Sequence, residues 1–339
     1  MESDSKLEDE IKSNACSHLP EYPLEFIDFI RSLSAVHLGE LSAALGLTCA
    51  VWCLGAVHIY AIYKYTTNEK RRGKLYILAL LFPIMAACCV GSMISPRSAN
   101  ILKSIGLFYI LSSLYTAMSL IRYLFSSTHD MFRVLHQADN KIRMQTPPLC
   151  CCCPFLPQFE ITPSRIRYLE MFTFQAPIVR IILITINVLL LTEKGYNHKW
   201  VFSYEDTTNV IGIISLLLAI YGGHMYARIL GDTMPAYRTM AIFRFIDISI
   251  ALFTAQFPLI MELIFVKTGV IECTNTMTAK EHANYINCLV LCLECFIMSL
   301  LATILFKPNK CGLLDAHPRR LIILPSKNRK LAEFDDIDA

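Results

Sequence analysis

The sequence predicts an all-α membrane protein of seven spanning helices, with the N-terminus outside and the C-terminus cytoplasmic. Three observations carry that prediction. Of 339 residues, 54% are hydrophobic and only 17% are charged, against roughly 25% charged in soluble domains. The apolar residues gather into runs long enough to cross a hydrocarbon core of about 30 Å as helices. The loops between those runs alternate in basic content. The net charge of +3 is too small to leave a footprint for nucleic acid, so no nucleic-acid partner is expected.

Residues 1–40 form an acidic segment with Glu2, Asp4, Glu8, Asp9, Glu10, Glu21, Glu25 and Asp28. No basic stretch precedes an apolar core there, so it reads as a retained extracellular segment rather than a cleaved signal. Span one is Leu41–Tyr63, and the loop KYTTNEKRRGK after it holds Lys64, Lys70, Arg71, Arg72 and Lys74. Span two is Leu75–Ile94 and span three Ile101–Phe125. A long loop, 126–168, follows with Arg133, Lys141, Arg143, Arg165 and Arg167. Span four is Leu169–Leu191, span five Val210–Leu230, span six Met240–Val266 and span seven Tyr285–Phe306. Arg228 and Arg238 follow span five, and Lys307, Lys310, Arg319 and Arg320 follow span seven. Every second loop is therefore basic and reads as cytoplasmic, which requires an odd number of spans. The tail 307–339, basic first and acidic last, reads as a solvated segment within reach of an anionic leaflet.

The long cytoplasmic loop contains TPPLCCCCPFLP, with Cys150, Cys151, Cys152 and Cys153 in a row. A reducing compartment disfavours disulfides there. Structural zinc needs paired cysteines at turn spacing, and no second pair lies nearby, so no metal is expected. Cytoplasmic thiols held at the membrane by Leu149, Phe155, Leu156 and Phe159 suit reversible S-palmitoylation; the alternative is four unmodified thiols. On the outer side lie Cys16, Cys273 and Cys288. A bridge between Cys273 and Cys288 would tie spans six and seven, with Cys16 as the other candidate partner. Cys49, Cys53, Cys88, Cys89, Cys292 and Cys295 read as packing residues within spans.

An ionised group at mid-membrane costs at least a few kcal/mol, so it should be paired, face the bundle interior or line a wet path. Arg180 in span four and Glu294 in span seven sit at similar depth and are expected to pair if the two spans adjoin. Asn187 and Asn287 lie seven residues from Arg180 and Glu294, on the same helix faces. Gln175 extends the first stripe beside Pro177, whose ring frees a backbone carbonyl. In span six, Arg244 and Asp247 are spaced for a local pair, and Gln256 beside Pro258 is a candidate cavity lining. Tyr221, His224 and Arg228 share a face of span five next to Gly222 and Gly223, a pair suited to close helix contact. No zinc-protease, nucleophile-elbow, phosphate-loop or dinucleotide motif occurs, so neither an enzyme nor a cofactor is expected.

Taken together, CCCCP, SPRS at Ser95–Ser98, FQ followed by Arg180, and NC then LExF (Asn287, Cys288, Leu293, Glu294, Phe296) resemble the alpha subunit of the organic solute transporter family. The likeness runs from about Leu41 to Phe306. It implies a seven-span plasma-membrane protein working with a small single-span beta subunit. It also implies facilitated diffusion of bile acids, conjugated steroids and similar amphipathic anions. The stretch FRFIDIS departs from the family's glutamine after Phe in the cytoplasmic half of span six.

The expectation is a passive carrier in which Gln175, Arg180, Asn187, Gln256, Asn287 and Glu294 line the substrate path. Its expected partners are a beta-like subunit or a second copy of itself, and membrane lipids. Competing readings are a seven-span receptor and a lipid-anchored membrane-organising protein. The first lacks a D-R-Y-like triplet after span three and N-P-x-x-Y in span seven.

Overall fold

The structure, a computed structural model, describes residues 25–125, 131, 141–143, 158–160, 162–194, 199–231, 239–274, 276–307 and 311–315. Among them are seven helices long and apolar enough to cross a membrane. Span one is Ala35–Tyr65, preceded by a short helix, Phe26–Ser32. Span two is Glu69–Ala79 continued by Leu81–Ile94; span three is Ala99–Leu124. Span four is Pro163–Lys194 and span five Lys199–Gly231. Span six joins an α-helix, Thr239–Gln256, to a π-helix, Phe257–Val266, and span seven is Ala279–Leu305.

Polar side chains start these helices where apolar residues cannot. The Ser34 and Asn68 side-chain oxygens accept from the backbone N–H groups of His37 and Arg71, each satisfying one unpaired donor of a helix start. Thr278 and Glu281 form a reciprocal capping box ahead of span seven. Span two is interrupted at Leu80 because Pro83 has no N–H for the Ala79 carbonyl one turn back. Span six changes winding next to Pro258, and i→i+5 bonds then run past its end: the Lys267 N–H donates to the Glu262 carbonyl at 3.3 Å and Val270 to Phe265 at 3.0 Å.

Span three is central, packing on spans two, four, five and six. Span four packs on three and five; span seven packs on one, two and six. The main core cluster runs through span three with Ile110, Leu114, Met118, Leu120 and Ile121 almost fully buried. Apolar side chains also cover the lipid side, as with Leu189, Val210, Leu259 and Ile304, each more than half exposed. Gly222 meets the Leu169 carbonyl and Thr173 Oγ1 of span four, both 3.0 Å from where a Cβ would stand. Gly223 lies against Leu114 of span three, so the glycine pair brings span five close to two neighbours at once.

In the segment joining spans three and four, strand β1 (Lys141–Arg143) pairs antiparallel with β2 (Gln158–Glu160), with Ile142 opposite Phe159. The register sets Arg143 opposite Gln158. Cys150, Cys151, Cys152 and Cys153 fall between the two strands in sequence and lie outside the described residues.

Candidate functional site

Span four presents its polar stripe to span five. The Gln175 amide donates to the Ser215 carbonyl at 3.0 Å, and Ser215 Oγ donates to Gln175 Oε1 at 3.0 Å. Thr208 Oγ1 donates to Asn187 Oδ1 at 3.5 Å. Between these two pairs lies Arg180. Its Nη1 rests over Gly212, 2.9 Å from where a Cβ would stand, and its Nε is buried without a hydrogen-bond partner. Only glycine at 212 leaves room for the guanidinium in this position. The seam thus holds a cation at membrane depth, polar groups on both sides of it, and no carboxylate paired with it among the described residues.

Span four also borders an open groove on its other side. Phe108, Ser112, Tyr115 and Thr116 of span three face Phe174, Pro177, Ile178 and Ile181 around about 230 Å³. The Tyr115 and Phe174 rings cross it with centroids 4.8 Å apart. Apolar rings and aliphatic chains make the surface, with two hydroxyl groups spent on the span-three backbone: Ser112 donates to Phe108 O and Thr116 to Ser112 O.

The expected Arg180–Glu294 pair is not formed, because the main neighbours of span four are spans three and five, while span seven packs on one, two and six. Equal depth along two helices says nothing about adjacency. Glu294 Oε1 instead accepts from the Gln256 amide at 3.1 Å, across spans six and seven. Gln256 Oε1, Glu294 Oε2 and Asn287 Oδ1 are buried without partners. The six residues expected on one path therefore divide into two seams, Gln175, Arg180 and Asn187 in one and Gln256, Asn287 and Glu294 in the other.

Asp247 does not pair locally with Arg244. Its Oδ2 lies 3.3 Å from His224 Nε2 of span five, which the helix packing brings nearer than the exposed Arg244. The bridge expected between Cys273 and Cys288 is likewise absent. Cys288 is a free thiol, 1% exposed, facing the core between spans two and seven, whereas Cys273 is disulfide-bonded to another residue. The other sequence candidate, Cys16, lies outside the described residues.

Further polar contacts were not anticipated. Arg122 of span three pairs with Glu170 of span four at 2.5 Å, and the Tyr226 hydroxyl of span five lies 3.5 Å from the same carboxylate. Opposite charges at the facing ends of consecutive spans were the available signal. Lys103 sits one turn into span three with its Nζ 4.3 Å from the centroid of the Phe257 ring, a cation–π contact at the start of the π-helix. Five residues along, Glu262 pairs with Lys280 of span seven at 3.0 Å.

The chain matches, over residues 41–311, the family model described as organic solute transporter Ostalpha. It is 36% identical over 290 residues to organic solute transporter alpha-like protein 3 of Caenorhabditis elegans, covering 86% of this chain and 82% of that relative. Alpha-like protein 2 of the same organism is 27% identical over 292 residues, with 86% and 84% covered. Organic solute transporter subunit alpha of Homo sapiens is 25% identical over 298 residues, with 81% and 82% covered. No solved structure matches the chain.

Proposed function

Because the chain belongs to the organic solute transporter Ostalpha family, we propose that this multi-pass membrane transporter moves amphipathic organic anions, such as bile acids, conjugated steroids or lipids, by facilitated diffusion. The observation that carries the proposal is Arg180. An unpaired guanidinium in a membrane span is held at a standing cost of a few kcal/mol, and an arriving anion would offset it. A carboxylate or sulfate would meet Arg180 in the seam of spans four and five. The apolar body would lie along span four, with the groove beside Pro177 and lipid as its surroundings. Gln175 and Asn187 flank the charge, while Gln256, Asn287 and Glu294 supply polar groups on the far side of the bundle.

The basic loops support an N-terminus outside and a C-terminus inside, and membership of the family supports the plasma membrane. A single-span beta-like partner is supported by the name of the human relative, which is a subunit alpha. Cys150, Cys151, Cys152 and Cys153 are proposed as palmitoylation sites; replacing all four by Ser should abolish acyl-exchange labelling, and persistent labelling would place the lipid elsewhere.

Uptake of a labelled sterol conjugate, with and without a co-expressed single-span partner, tests the transport proposal. Saturable flux in at least one condition is expected. Absence of flux in both, with the protein at the cell surface, would overturn it.

A further inference from the structure

A second, half-open space lies away from Arg180. Spans one, two, six and seven surround a chamber of about 120 Å³ at the end of the bundle where the basic loops emerge. Its wall includes Leu75 and Phe82 of span two, Phe245 of span six and Phe306 just beyond span seven. No residue of spans four or five contributes. The Pro83 break in span two falls beside it, which places Leu78, Ala79 and Leu81 on its wall. His58 is the one side chain with a nitrogen among the described wall residues, and its Nε2 is engaged. Thr303 Oγ1 donates its hydrogen to the Ser299 carbonyl at 2.9 Å, so His58 Nε2–H must be the donor in the 2.7 Å contact with Thr303 Oγ1.

The floor of the chamber is a strap beyond span seven, Cys311–Asp315. Cys311, Leu313 and Leu314 turn inward and are 1%, 3% and 5% exposed. Asp315 fixes the strap to the loop between spans one and two. Its backbone N–H donates to the Tyr65 carbonyl at 2.7 Å, and its carboxylate accepts from the Thr67 N–H at 2.8 Å and the Thr67 hydroxyl at 2.7 Å. Arg71, 5% exposed, completes the latch as an ion pair with the other carboxylate oxygen.

We propose that this chamber binds the terminal segment of an alkyl chain and that the Cys311–Asp315 strap is its lid. The size is near that of apolar cavities of about 150 Å³ that take up one hydrocarbon ring. An aliphatic and aromatic wall with no charged side chain, and with His58 Nε2 already engaged by Thr303, favours an apolar occupant over a charged one. The spans that enclose it stand in a bilayer, where alkyl chains are the most abundant apolar species. Two sources share that chemistry, the acyl chain of a bilayer phospholipid and a free fatty acid arriving from water.

The test uses the full chain in nanodiscs and two photoprobes with a diazirine at the end of the chain. One is a phosphatidylcholine built into the disc; the other is a fatty acid added from the aqueous phase. Labelling of Phe245, Phe306, Leu313 or Leu314 is expected in at least one arm, and the arm that labels identifies the source. Label confined to lipid-exposed positions such as Ile304 in both arms would overturn the site. Ala302→Phe should abolish label at the strap while label at Leu259 is kept, and retention of strap label would overturn it too. Leu313→Ala, which enlarges the space, should raise labelling of the remaining wall severalfold; no rise counts against the chamber. Asp315→Asn should speed hydrogen exchange across residues 311–315 severalfold, and unchanged exchange would overturn the lid. Organic-anion flux through Arg180 is measured separately, so either proposal can fail alone.

Discussion

Replacing Arg180 by Gln separates a transport role from a structural one, because the two roles predict opposite changes in stability. The substitution keeps a polar side chain in the seam, two atoms shorter than Arg180, and removes the charge. If the guanidinium binds the anion, the loss is one charge-assisted hydrogen bond, about 1.5–3 kcal/mol. At about 1.4 kcal/mol per factor of ten, half-saturation for an anionic substrate rises about 10- to 100-fold. Arg180 has no carboxylate partner and a buried, unsatisfied Nε, so its removal also relieves the penalty on an ionised group at membrane depth. That penalty is about 2.5–3.5 kcal/mol for a central position. Arg180 is only partly buried, so the folded state should gain part of this, about 1–3 kcal/mol. The assay is initial uptake of a sterol sulfate at matched surface level, paired with thermal unfolding of the purified variant. Expected together are weaker anion transport, unchanged uptake of a neutral sterol and a higher melting temperature. Unchanged half-saturation, or a fall in melting temperature, would refute the role assigned to Arg180.

Gly222→Ala should destabilise the bundle by about 1–3 kcal/mol, since its Cβ would press on the Leu169 backbone carbonyl as well as on Thr173 Oγ1; thermal unfolding reads this, and a neutral effect would contradict the close contact. Peptide mapping under non-reducing, denaturing conditions should find Cys288 alkylated and Cys273 unmodified; a Cys273–Cys288 peptide would contradict the free buried thiol. For Asp315, burial acts to raise the carboxyl pKa, but the two Thr67 hydrogen bonds and Arg71 outweigh it and hold the group below the usual carboxylate range. A depressed folded pKa means that the latch contributes fully above the unfolded value and is lost as pH falls through the folded one. The melting-temperature gap between wild type and Asp315→Asn should therefore be the same at pH 7 and pH 5, and a gap that closes by pH 5 would contradict the latch.

The seven spans were legible in the sequence because length and apolarity alone decide them. Their ends were not, because helices continue past the hydrocarbon on residues such as Glu69, Lys70 and Lys194, whose polarity hides them from a hydropathy reading. The candidate residues were legible one helix at a time. Gln175, Arg180 and Asn187 do face span five together, whereas the Gln256–Glu294 contact joins two helices and was not foreseen. Which face meets which helix was not legible, since periodicity fixes a direction relative to one axis only. That is why Arg180 was matched with Glu294 and Asp247 with Arg244. The Asp315 latch escaped for a related reason: its partners lie 248 and 244 residues away in sequence, in a loop whose basic residues already had a role in topology.

The π-helix in span six decides which neighbours the second half of that span can reach. In an α-helix Phe257 and Glu262, five residues apart, would point in directions far from each other. The wider winding, with its i→i+5 bonds, brings those directions closer together. Lys103 of span three holds the first and Lys280 of span seven holds the second. A return to α winding would turn one of these contacts out of alignment. Loss of either lysine would therefore leave this stretch of span six with one polar tie in place of two, to span seven or to span three alone.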